Sequence, residues 1–182
     1  MQNPGEEIVG EYLKKILKCD FVEYNLYHPD MQGEINVVGI NTKEKKLYIS
    51  EVATHLITGL QYVKNKRPGN VEHFTKKFRK NIGYANKHFS GYEKHFMLWS
   101  PIVKNQGVDA RYNQLEDIRE IQGVLKSEFD VTIDPVINRR YAECLAALRS
   151  YVAKETKELK SPVLRLMQIE EKLSKHIERL EA

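Results

Sequence analysis

Cysteine is scarce in this chain. Cys19 and Cys144 are the only two among 182 residues, which excludes a disulfide-stapled scaffold and a cysteine-rich zinc site. No apolar run approaches the roughly 18 residues that a membrane-spanning helix needs. The opening residues, Met1 to Glu7, lack the basic-then-apolar layout of a secretory signal, so an intracellular chain that enters no membrane is expected. Glycine-rich phosphate loops of either common type are missing. Six histidines are present, His28, His55, His73, His88, His95 and His176, and none lies at metal-ligand spacing from a cysteine or another histidine. No motif supports a serine or cysteine nucleophile. There is no internal repeat and no low-complexity tract.

What is present is a globular composition, 41% hydrophobic and 30% charged, in a chain long enough to bury a core. The net charge of +4 is unevenly spread. Residues 61–90 carry Lys64, Lys66, Arg67, Lys76, Lys77, Arg79, Lys80 and Lys87 against the single acid Glu72. A basic block on a near-neutral body suits a polyanion. Tyr62, Phe74, Phe78, Tyr84 and Phe89 interleave with the block, and the helical spacing of Phe74 and Phe78 assigns them to a core face.

The hydrophobic periods predict helices over 6–18, 71–89, 112–128, 138–158 and 163–181, and strands over 20–28, 34–40, 47–53, 95–103 and 129–133. Residues 54–70, interrupted by Gly59, Pro68 and Gly69, read as a loop or short helix. The order α-β-β-β-α-β-α-β-α-α argues for an α/β fold with a mixed sheet flanked by helices. We divide it into residues 1–135 and a C-terminal helical extension, 136–182. In the last helix Leu166, Ile169, Leu173 and Leu180 follow a heptad spacing. Packing on the domain's own helices is the expected use, with a homodimer as the alternative.

The segments 34–40 and 47–53, joined by the polar Asn41–Lys46, form a hairpin. A turn at Lys43-Glu44 pairs residues whose numbers sum to 87. Asn36 then opposes Glu51, and Glu34 opposes Ala53. Side chains alternate along a strand, so Glu51, Ala53 and His55 share a face. A polar cluster thus falls at the end of an apolar sheet. Buried carboxylates need partners, and a hard divalent cation is one; strand-end surface groups are the other reading.

With this hairpin in place, Gly33–Gly39 followed by Leu47–Ala53, within the order α-β-β-β-α-β over residues 6–103, resembles the PD-(D/E)XK nuclease superfamily. That group includes restriction enzymes, Holliday-junction resolvases and related DNA nucleases. The resemblance implies a restriction endonuclease-like fold and hydrolysis of DNA with Mg2+ or Mn2+, and double-stranded DNA is the expected partner. It sets Asn36 at the family's metal-binding Asp, Glu51 at its Glu and Ala53 at its Lys. It also implies the backbone carbonyl of Val52 as a metal ligand and a Glu on the first helix. By helical angle Glu6, rather than Glu7 or Glu11, lies nearest the apolar stripe.

Asn for Asp and Ala for Lys are departures from the family pattern. Either the missing roles have migrated, with Glu34 or Asp30 supplying the carboxylate and His55, Gln61 or Lys64 orienting the water, or the chain binds DNA without cutting it or serves as a subunit of a larger nuclease complex, or the two residues mark an engineered inactive variant. Lys64, Lys66, Arg67, Lys76, Lys77, Arg79 and Lys80 are the expected nucleic-acid contacts.

Overall fold

Asn3 opens the first helix. Its side chain accepts the backbone N–H of Gly5 at 2.9 Å, and Pro4 follows at the first helical position, where a missing N–H costs nothing. The fold is that of a computed structural model, which describes residues 3–27, 29, 33–64, 67–107 and 112–181, with Lys64 and Arg67 described in backbone alone. In chain order the elements are α1 (Pro4–Lys15), β1 (Phe21–Tyr27), β2 (Glu34–Asn41), β3 (Lys46–Val52), β4 (Val63–Lys64), β5 (Arg67–Pro68), α2 (Asn70–His88), β6 (Glu93–Ser100), α3 (Gln114–Phe129), β7 (Ile133–Ile137), α4 (Asn138–Lys154) and α5 (Pro162–Leu180).

Five strands form one mixed sheet in the order β1-β2-β3-β6-β7. The first three are antiparallel, and β6 and β7 run parallel to β3. Among the described residues five helices flank the sheet, so the fold is α/β. On one face, Val9 and Leu13 of α1 and Tyr141 and Cys144 of α4 pack with Val37, Tyr48, Met97, Trp99 and Val136. On the other, Phe74, Phe78 and Ile82 of α2 and Ile118, Ile121 and Leu125 of α3 pack with Val38, Leu47, Ile49, Phe96 and Leu98. The two parallel crossovers, through α2 and α3, lie on the same face, as same-handed crossovers moving in one direction must.

The hairpin register is the expected one. Val37 pairs with Ser50, Gly39 with Tyr48 and Asn41 with Lys46. Phe74 and Phe78 are buried in the core, and both cysteines are free and buried. Burial pushes the Cys19 thiol up to about 12.

Several expectations are corrected. The last strand is β7 at 133–137 rather than 129–133, because α3 runs on through Phe129 and ends at Asp130 in the left-handed conformation (φ 57°). Its Pro135 lacks a donor, and β7 is an edge strand, where that loss is tolerated. The stretch 54–70 contains the small antiparallel pair β4–β5. Tyr141 and Cys144 of α4, the helix that follows β7 directly, pack in the same core cluster as Trp99. On α5, the side chains that pack inward against Leu148 and Val152 of α4 are Leu164 and Met167. The stripe of Leu166, Ile169, Leu173, Ile177 and Leu180 is exposed. Among the described residues no helix is long and apolar enough to cross a membrane.

Candidate active site between β2, β3 and α2

Register places Asn36, near the start of β2, beside Glu51, near the end of β3, at the open end of the hairpin and under α2. Glu51 is fully buried, and its two oxygens have different partners. Asn81 of α2 donates to Oε1 at 2.7 Å. The ammonium of Lys77, one turn earlier on α2, forms an ion pair with Oε2. Lys77 also donates to Asn36 Oδ1 at 3.4 Å, and the same oxygen accepts the backbone N–H of Val52 at 3.0 Å. The opposite end of the Asn36 amide, Nδ2, donates to Glu6 Oε1 at 3.3 Å. These partners fix the amide orientation, since a flip would aim an NH2 at two donors. The result is one continuous chain: Glu6, Asn36, Lys77, Glu51, Asn81.

Each arm has a local cause. Glu6 sits in the first turn of α1, where the helix N-terminus favours a carboxylate. It is buried, and Asn25 of β1 also donates to it at 3.5 Å. Gly5 lets that turn press against the chain leaving β3, because a Cβ at this position would collide with the Thr54 side chain. Lys77 and Asn81 lie on the inward flank of α2 that Phe74 and Phe78 anchor. The spacing 74, 77, 78, 81 is the i, i+3, i+4, i+7 stripe of a helix. The segment after β3 is pinned beside α2 by Asn70, which donates to the Leu60 carbonyl at 2.7 Å and accepts Tyr62 N–H at 2.8 Å.

Beside this network lies a cavity of about 600 Å³. The described residues lining it are Tyr27, Gly33, Glu34, His73, Lys76, Lys77 and Lys80. Three lysines against one acid make it electropositive. Lys80 donates to the Glu34 carbonyl at 2.7 Å, and burial holds its ammonium below the ordinary lysine range. His73 stacks on Tyr62 with ring centroids 3.7 Å apart and an interplanar angle of 15°. Burial, aided by the Lys77 charge, holds the imidazole below its ordinary value, so it is neutral near pH 7.

The expected site residues therefore separate. Glu6, Asn36 and Glu51 come together, with Val52 contributing its N–H to Asn36. Glu34 is exposed and lines the cavity. Ala53 is buried in the same core cluster as Leu60, Phe74 and Phe78, a place where a lysine would bury its charge in an apolar setting. His55 is exposed and turns its ring edge to Tyr62 at 5.8 Å. Lys76, Lys77 and Lys80 line the cavity, whereas Arg79 points away and pairs with Glu128 of α3 at 2.7 and 2.5 Å. Asp30, Lys66 and the side chains of Lys64 and Arg67 lie outside the described residues.

Sequence reasoning missed Asn81 and gave Lys77 only a surface role. A signal was there: both polar residues interrupt the apolar stripe of α2.

The donor set suits an oxygen-seeking cation. Glu51 Oε2 is buried and outside hydrogen-bond geometry with any donor among the described residues; the Lys77 ammonium is its ion-pair partner, and the Lys80 charge also acts on the carboxylate. Asn36 Oδ1 lies beside the same ammonium, and Glu6 adds a second carboxylate one hydrogen bond away. Among the described residues no three His, Cys, Asp or Glu side chains converge, but Mg2+ takes as few as one or two carboxylates and completes its shell with neutral oxygens and water. No protein-family model, no curated protein and no solved structure matches this chain.

Proposed function

We propose that this protein is a metal-assisted DNA endonuclease of restriction or repair type, built on a restriction endonuclease-like arrangement. One observation carries the reading: the lysine absent at position 53 has a counterpart in Lys77, whose ammonium contacts both Glu51 and Asn36. The element order α1-β1-β2-β3-α2-β6 supports the fold assignment, and the lysine-lined cavity supports a phosphodiester substrate.

Glu51, Asn36 and the Val52 carbonyl would hold Mg2+ or Mn2+, which when bound lowers the pKa of a water and stabilises charge at phosphorus. The chain's own groups do the rest. Lys76 and Lys80 attract the phosphate backbone into the cavity. Lys77 brings a positive charge to the oxygen on which negative charge builds. Asn81 fixes the Glu51 carboxylate by donating to Oε1, which leaves Oε2 for a cation.

The test is nicking of supercoiled plasmid in Mg2+ and Mn2+ beside Glu51→Gln. Metal-dependent nicking that the variant loses supports the reading. Absence of nicking by the unaltered protein overturns it.

A second reading, a relative that binds DNA without cutting it, is favoured by Asn36, which supplies an oxygen but no charge. In that case DNA affinity survives Glu51→Gln and depends on the lysines alone. In either reading a homodimer through α5 is supported by its exposed stripe. The repeat there averages 3.5 residues, the spacing that keeps one helix against another of the same repeat.

A further inference from the structure

The cation-binding oxygens of the site already hold a cation, and it belongs to the chain. The Lys77 ammonium sits on Glu51 Oε2 from β3 and Asn36 Oδ1 from β2, the second at 3.4 Å. Those two oxygens are also the ones the metal-assisted reading assigns to Mg2+ or Mn2+, and the inference rests on that reading. We propose that Lys77 is a resident counter-ion that must vacate this position before a divalent cation can occupy it, so the two cations exclude one another.

Three observations carry the idea. First, Glu51 is fully buried, and its Oε2 has Lys77 as its ion-pair partner while lying outside hydrogen-bond geometry. A carboxylate so placed requires a positive charge, and an ammonium or a metal ion serves. Second, both cations cannot occupy that space, because a unit charge and a double charge a few ångströms apart repel strongly in a partly buried setting. Third, Lys77 has somewhere to go. It lines the 600 Å³ cavity, and its side chain is 23% exposed rather than enclosed. The walls of that cavity carry Lys76 and Lys80, so the outward position is unfavourable until an anion enters. An incoming phosphate therefore draws Lys77 out and opens the cation position, which couples substrate binding to metal binding reciprocally.

The experiment compares Mn2+ binding, by calorimetry and by the paramagnetic resonance signal of free Mn2+, in the unaltered protein, Lys77→Met and Lys77→Gln, without DNA. Loss of the competing ammonium is expected to tighten Mn2+ binding by at least about tenfold, a lower bound on the effect of removing a unit charge beside a dication. Thermal melting gives an independent readout. Lys77→Met removes the ion-pair partner of Glu51 and is expected to melt lower without metal and to recover in Mn2+, while the unaltered protein moves less. Should Lys77→Met fail to fold without metal, Lys77→Gln still offers Glu51 a hydrogen bond. The double variant Lys77→Met with Glu51→Gln removes both charges and is expected to lose the Mn2+ response.

Equal Mn2+ affinity in the unaltered protein and both single variants overturns the proposal and leaves the metal-assisted reading standing. Weaker affinity in the variants overturns it as well and makes Lys77 a supporter of the metal. No Mn2+ binding and no melting shift in any of them removes the metal-assisted reading, and the exclusion with it.

Discussion

Asn36 donates its amide to the carboxylate of Glu6 at 3.3 Å, which ties the first helix to the second strand. An aspartate at position 36 turns that hydrogen bond into a contact between two carboxylates. Asn36→Asp is therefore expected to destabilise the metal-free protein by about 1–3 kcal/mol. Mn2+ is expected to restore the loss by occupying the new charge pair, and nicking activity to rise. Urea unfolding with and without Mn2+, beside the plasmid assay, checks all three.

Glu51 and Lys77 form a pair in which the carboxylate is wholly buried and the lysine side chain is 23% exposed. Removing one partner strands the other. Glu51→Ala is expected to cost about 3 kcal/mol, whereas Glu51→Gln, which keeps the oxygen that Asn81 binds, is expected to cost less while abolishing metal-dependent nicking equally. A comparison of unfolding midpoints separates the structural cost from the chemical one.

Not every basic residue of α2 is equivalent. Lys76 and Lys80 line the cavity, while Arg79 is committed to Glu128 on the far flank. Lys76→Ala and Lys80→Ala are each expected to weaken DNA binding and to lower the slope of log affinity against log salt by about 1. Arg79→Ala is expected to leave that slope unchanged. Salt-dependent fluorescence anisotropy with a duplex probe decides.

His73 is held below its ordinary value of 6.5, mainly by burial and further by Lys77. The folded state thus prefers the neutral ring, and the unfolded state binds the proton more readily. Stability from this group is complete above pH 6.5 and declines as pH falls through 6.5 toward the depressed folded value. His73→Phe keeps an aromatic ring to stack on Tyr62 and is expected to flatten that acid limb. Urea midpoints between pH 5 and pH 8 measure it.

The exposed stripe of α5 yields the last prediction. Leu166 and Leu173 are 59% and 54% exposed, so Leu166→Lys with Leu173→Lys is expected to leave the melting temperature of dilute protein nearly unchanged. If α5 joins two copies, the same double variant sediments as a monomer at concentrations where the unaltered protein is dimeric.

How much of this was legible in advance follows from the range of the forces involved. Strand alternation and turn composition are local, and they located β2, β3 and their register of 87 without further information. Helical periodicity, also local, located all five helices and assigned Phe74 and Phe78 to the core. It also set Glu6 nearest the apolar stripe, and Glu6 is buried, but so is Glu11, which the same angle placed well away. The end of α3 was misjudged because Phe129 serves a helix or a strand equally well, and the deciding feature, Asp130 in the left-handed conformation, is a backbone choice that pattern does not encode.

The lysine partner of Glu51 was another matter. Position 53, two residues along the chain, is closed to a charged side chain by packing, since Ala53 lies in the core with Leu60 and Phe74. The charge that satisfies Glu51 comes instead from a residue 26 positions later, on another element. Only the packing of α2 on the sheet brings them together. By itself the sequence determined which segments are helices and strands, and which polar residues fall at the open end of the hairpin. The tertiary structure decided which of those polar groups meet, because a buried carboxylate is satisfied by whatever cation the packing delivers, and sequence distance has no part in that choice.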